Sequence, residues 1–116
     1  MDDAKKYLES QIDSSSIEEV VIMLLNRAIK YTNDMKKAID DNDIEKRFFS
    51  LTKVSDILSF LVLNIREDKL PSLCKILRIC FNKLIYIDRN KDKEQADDLI
   101  RVLKLVKESF YAKIKK

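Results

Sequence analysis

The chain of 116 residues contains no glycine, and its one proline is Pro71. Glycine is the residue that enters left-handed backbone without steric cost, so its absence disfavours tight hairpins, whose two-residue turns demand positive φ. The glycine-rich loops that let backbone close on a phosphate are missing too, which excludes P-loop and dinucleotide-binding folds. What remains is helix. Hydrophobic residues make up 46% of the chain and charged residues 37%, with Lys, Glu, Leu and Ile abundant, a composition typical of helical proteins. The length suits one domain with its own core.

Periodicity predicts four helices. The first runs from about Ile17 to Asp40, with a core stripe of Ile17, Val21, Leu24, Ala28, Met35 and Ile39 at helical spacing. Ser15 with Glu18, or Ser16 with Glu19, has the spacing of a capping box at its start. The acidic stretch from Asp40 to Asp43 ends it and offers an N-cap to the second helix, Ile44 to about Arg66. The second stripe is Ile44, Phe48, Leu51, Val54, Leu58, Leu61 and Ile65. Pro71 suits a first helical turn and opens the third helix, about Ser72 to Asp88, with Leu73, Ile76 or Leu77, Cys80, Leu84 and Ile87 inward. Asp92 is a candidate N-cap for the fourth, about Lys93 to Lys113, whose inward row is Ala96, Leu99, Leu103, Val106 and Phe110. Short links imply antiparallel neighbours. The expected fold is all-α: an antiparallel up-down-up-down four-helix bundle over residues 16–116, preceded by a short mobile or capping segment over residues 1–15.

Three of these helices carry more apolar residues than one stripe needs. Ile22, Leu25 and Ile29 form a second row on the first helix. Phe49, Ile57, Phe60 and Leu63 do so on the second, and Ile79, Phe81, Ile85 and Tyr86 make the third apolar nearly all round. Two explanations stand: a helix buried on several sides, or a surface kept for another molecule.

These stretches resemble the FliS family of flagellar secretion chaperones. The family carries a tyrosine, a short polar link, a Ser-Pro-Glu-Glu-Leu helix start and then Leu-Met-Leu-Tyr-Asp-Gly-Ala. This chain has Tyr7, then Ser16-Ile17-Glu18-Glu19-Val20, then Ile22-Met23-Leu24-Leu25-Asn26-Arg27-Ala28. It departs where the family proline, tyrosine and glycine become Ile17, Leu25 and Arg27. On the second helix Asp43-Ile44-Glu45, Leu51, Lys53, Val54, Ile57, Leu58 and Leu61 follow the family pattern, while Phe60 takes a place usually polar. The third helix resembles it least. On the fourth, Asp92 matches a family aspartate and Phe110 stands where tryptophan is frequent.

Chemistry is sparse. Histidine is absent, which removes the commonest general base and metal ligand and leaves Ser14–Ser16 without an activating partner. The carboxylate pairs Glu18-Glu19, Asp40-Asp41 and Asp97-Asp98 fall at helix starts or loops, where acids cap helices and complement the dipole. No enzyme, cofactor or metal is expected. The net charge of +3 does not argue for nucleic acid, and the lysines Lys107, Lys113, Lys115 and Lys116 suit a solvated helix end. No apolar run spans a membrane, and the opening MDDAKKYLES is too polar for a signal peptide, so the expected location is cytoplasmic. Cys74 and Cys80, six apart on one helix, diverge by about 120° and read as small buried hydrophobes.

The resemblance implies a chaperone that binds the C-terminal region of flagellin, prevents premature polymerisation and aids delivery to the export apparatus. Its N-terminal tyrosine implies a lid over an empty groove, here Tyr7. With the second rows, it marks Tyr7, Ile22, Leu25, Asn26, Ile29, Ile57, Phe60 and Phe81 as partner-binding residues. Export components and a weak homodimer are further partners left open. The alternative from the residues alone is a self-associating structural bundle whose second rows form a dimer seam.

Overall fold

The structure is a computed structural model that describes residues 17–65 and 70–114. Ser15, Ser16, Tyr7 and the Ile17 side chain, which carry expectations above, lie outside the described residues.

Among the described residues four helices follow in order: α1 (Ile17–Asp40), α2 (Ile44–Asn64), α3 (Pro71–Asn90) and α4 (Lys93–Ile114). Each boundary falls within a few residues of its sequence expectation. No strand occurs among the described residues. Each helix packs on its two neighbours around a ring, α1 on α2, α2 on α3, α3 on α4 and α4 back on α1, with no close backbone approach across the diagonals among the described residues. The pairs α1–α2 and α1–α4 are the most extensive, and α3–α4 is the least. Ion pairs fix the directions. Lys36 and Asp40, late in α1, pair with Asp97 and Lys93, early in α4. Arg47, early in α2, meets Asp88, late in α3. Neighbours therefore run antiparallel, up-down-up-down.

The caps explain the sharp boundaries. The Asp43 carboxylate accepts from the Lys46 N–H at 3.0 Å, and the Asp92 carboxylate accepts from the Gln95 N–H at 3.1 Å. Each satisfies an orphan donor of a first turn. At the other end of α1, Asn42 enters left-handed backbone at φ 52°, and the Asp43 N–H reaches back to Ala38 O at 2.9 Å. Lys91 closes α3 the same way at φ 51°, with the Asp92 N–H bonded to Ile87 O at 3.3 Å. Glycine normally holds such positions. Asparagine tolerates them better than lysine, because its short polar side chain can hydrogen-bond locally and so offset the crowding at Cβ that both share.

The inward rows of α3 and α4 are as expected: Leu77, Cys80, Leu84 and Ile87 are buried, as are Ala96, Leu99, Leu103, Val106 and Phe110. Cys74 and Cys80 are free and buried. The α1 stripe is broader than one row. Val20, Leu25, Thr32 and Ala38 join Val21, Leu24, Ala28 and Met35 inside, and Thr32 Oγ1 satisfies itself by donating to Ala28 O at 2.8 Å.

The first half of α2 corrects the expectation. Ile44 and Phe48 are 69% and 67% exposed, while Ser50, Val54, Ile57, Leu58 and Leu61 face inward. The physical reason is phase. Relative to Val54, Phe48 points about 120° away at 100° per residue, and Arg47 about 20°. Arg47 takes the inward position, with its Nε 3.2 Å from Asp88 Oδ1 and its N–H not aligned for a hydrogen bond.

Lys91→Gly should raise stability by about 0.5–1 kcal/mol, the relief of a left-handed non-glycine residue less the extra chain entropy of glycine. A higher urea midpoint at unchanged slope is the expected result; an unchanged or lower midpoint shows that Lys91 carries no such strain.

Candidate partner-binding surface

Two apolar clefts flank α3. One lies between α3 and α4, has a volume of about 520 Å³ and is lined by Leu70, Pro71, Ser72, Leu73, Ile76, Val102, Leu105, Val106, Ser109 and Phe110. It coincides with the least intimate helix pair, and its small residues Ser72 and Ser109 leave the space that larger side chains would fill. The other lies between α2 and α3, has a volume of about 440 Å³ and is lined by Ser59, Val62, Leu63, Arg78, Phe81 and Asn82. Leu63 is 83% exposed and Leu105 59% exposed. Both clefts sit toward the end where α1 and α3 begin and α2 and α4 finish. A third hollow, about 320 Å³ between α1 and α2, is rimmed by Asp34, Lys37, Asp41 and Lys46 and is far more polar.

The residues marked from sequence do not gather in one groove. Leu25 is fully buried and Ile57 is 5% exposed, so both belong to the core. Ile22 and Ile29 are half-buried against that core. Their stripe on α1 continues at helical spacing into Lys36 and Asp40, which pair with α4, so it borders the α1–α4 seam. Asn26 is exposed. Phe60 is half-buried on the stripe of α2 that carries Phe49, whose ring meets Tyr31 of α1 edge-on at 6.2 Å. Phe81 alone among them lines a cleft. The second rows of α1 and α2 are thus largely seams between neighbouring helices. Leu63 stood in a second row without being singled out, and Leu105 lay beside the clean α4 row. The signal that would have found them was a large apolar residue off its helix's inward direction.

The opposite end is polar and fastened by ions. Lys83 Nζ bonds Asp98 and also Gln95 Oε1 at 2.9 Å, and Asp98 accepts from Arg101 at 2.6 Å. The bond from Lys83 holds the Asp98 carboxyl below its usual range, with Lys83 and Arg101 charges adding to it against partial desolvation. The bond to Asp40 likewise raises Lys93. Among the described residues no group of three His, Cys, Asp or Glu could hold a metal, and no helix is long and apolar enough to cross a membrane.

The four described helices form a helical-bundle protein with two open apolar clefts beside α3. A comparison with protein families matches the family described as Flagellar protein FliS over residues 1–116, the whole chain, and the chain belongs to that family. It is a family of flagellar export chaperones. A comparison with curated proteins finds no match.

Burial pushes the Cys80 thiol up from its ordinary 9.0 to about 11, with Lys83 opposing and Asp98 adding to the effect. The unfolded thiol ionises first, so Cys80's contribution is whole below pH 9.0 and lost as pH rises through about 11. The loss is of order 2–3 kcal/mol. Urea midpoints across this window should fall less steeply for Cys80→Ala than for the parent; equal slopes assign the alkaline loss to other groups.

Proposed function

We propose that the chain is a cytoplasmic export chaperone that captures the C-terminal segment of flagellin in the two clefts flanking α3. Capture withholds that segment from premature polymerisation until the export apparatus receives the subunit. The observation that carries this reading is the pair of open apolar clefts on one helix, in a chain of this family. An amphipathic or extended segment that orders on binding loses at least about 2–5 kcal/mol in doing so. Each fully covered leucine returns about 1.5–3 kcal/mol, so several anchors spread over two clefts meet that cost where one does not.

Tyr7 is proposed as the cover of the α3–α4 cleft when no partner is present. It lies outside the described residues, and reach supports the idea. Ten residues separate it from Ile17, at the same end of the bundle as that cleft, and ten residues extend to at most about 33–36 Å. Ile22 and Ile29 remain secondary candidates at the α1–α4 seam.

Leu63→Glu with Leu105→Glu should leave the helical circular dichroism intact and weaken flagellin-segment binding at least about a hundredfold by calorimetry. Full-strength binding by the folded variant moves the site elsewhere. Deleting residues 1–12 should leave the bundle folded and raise affinity for the same segment, because a competing cover is gone; unchanged affinity removes Tyr7 from the mechanism. Sedimentation separates the readings: a monomer or weak dimer becoming a heterodimer with flagellin supports the chaperone, and a tight dimer indifferent to flagellin supports a self-associating bundle.

A further inference from the structure

We propose that the outer face of α3, which meets the α2–α3 cleft at Asn82, is a docking surface for an acidic amphipathic helix of a second protein, other than the segment proposed for the clefts. The ridge of α3 has a charge pattern no other helix shares. Exposed acids and bases are mixed on α1, α2 and α4, as in Asp34 with Lys37, Glu45 with Lys46, and Glu94 with Lys104. On α3 the exposed charges are Lys75, Arg78 and Arg89, all positive. The one acid of the helix, Asp88, faces Arg47 of α2, and the remaining lysine, Lys83, is held by Asp98 of α4.

Spacing selects a helix as the occupant. Lys75, Ile79, Asn82, Tyr86 and Arg89 follow one another at alternating steps of four and three, the seam of a helix laid alongside another. Ile79 and Tyr86 are 59% and 50% exposed in the middle of the row, and a cation stands at each end. From Lys75 to Arg89 the row is roughly 21 Å long at 1.5 Å per residue, about four turns. A partner with apolar anchors over Ile79 and Tyr86 and carboxylates at both ends complements it. A second copy of α3 does not, since Lys75 and Arg89 would meet cations. A membrane surface is a poor match as well, because binding in the headgroup plane calls for a broad face of large apolar residues, and Asn82 divides this one.

The test uses the full chain and a synthetic amphipathic helix with leucines at alternating three- and four-residue steps and glutamates flanking them. Its counterpart carries lysines for the glutamates, and vesicles rich in phosphatidylglycerol serve as the third probe. Fluorescence anisotropy should show binding of the acidic helix, weakened by added salt, and no comparable binding of the basic one. Lys75→Glu with Arg89→Glu should weaken it about tenfold or more, the scale of two exposed charge pairs turned repulsive, and Lys75→Gln with Arg89→Gln by less. Leu63→Glu with Leu105→Glu should leave this binding intact while weakening flagellin-segment binding at least about a hundredfold, so the two surfaces fail separately. Equal binding of both peptides, indifference to the charge substitutions, or vesicle binding without acidic-helix binding overturns the proposal.

Discussion

The burial of α1 between α2 and α4 is the interaction on which the other features depend. Val20, Leu24, Leu25, Ala28 and Met35 are sealed there, and α1 makes the two most extensive helix pairings in the ring. Leucine and methionine truncations in such settings cost about 2–5 kcal/mol each, so this spine carries much of a small domain's stability. Because α1 satisfies both of its neighbours, α3 is left as the outlying wall, packed on α2 and least of all on α4. The clefts beside α3 are the geometric consequence of that inequality.

Legibility in the sequence followed the locality of the cause. The α4 row from Ala96 to Phe110 was readable because one clean stripe alternates with charged residues, and nothing distant competes with it. The caps Asp43 and Asp92 were readable because a cap bonds within three residues of itself. The start of α2 was not. Hydrophobicity favours Phe48 over Arg47 as the inward residue, and the choice of Arg47 depends on Asp88, forty-one positions on in α3. The second apolar rows were hard to read for a related reason. Ile22, Leu25 and Ile57 are apolar because a helix in a ring touches two neighbours, and periodicity on one helix cannot distinguish a seam from a spare face. The clefts depend on how closely two helices approach, which Ser72 and Ser109 influence only once both are known to line one cleft.

The two ends of the bundle differ in kind. Lys36–Asp97, Asp40–Lys93, Lys83–Asp98 and Arg47–Asp88 fall where α1 and α3 finish, beside the two short links at 41–43 and 91–92. The exposed pairs Lys36–Asp97 and Asp40–Lys93 contribute about 0–1 kcal/mol each, so their effect is less to hold the fold than to set the helices' register at that end. The left-handed residues Asn42 and Lys91 belong to the same end. In a chain without glycine those tight closures are strained, and they persist because the packed helices on either side determine them.

At the other end the apolar clefts open. This division bears on how a partner can be held. Binding a segment that must order itself is favoured when the receiving surface is already in place, since each side chain that must be immobilised on the receptor adds about 0.5–1.5 kcal/mol of cost. Short links and ion pairs at the fastened end set the register of the helices, which on the proposed reading would leave Leu63, Phe81, Ile76 and Val102 in place before a partner arrives. On the proposed reading, hydrophobic contact would supply the attraction at one end while the ion pairs supply the alignment at the other.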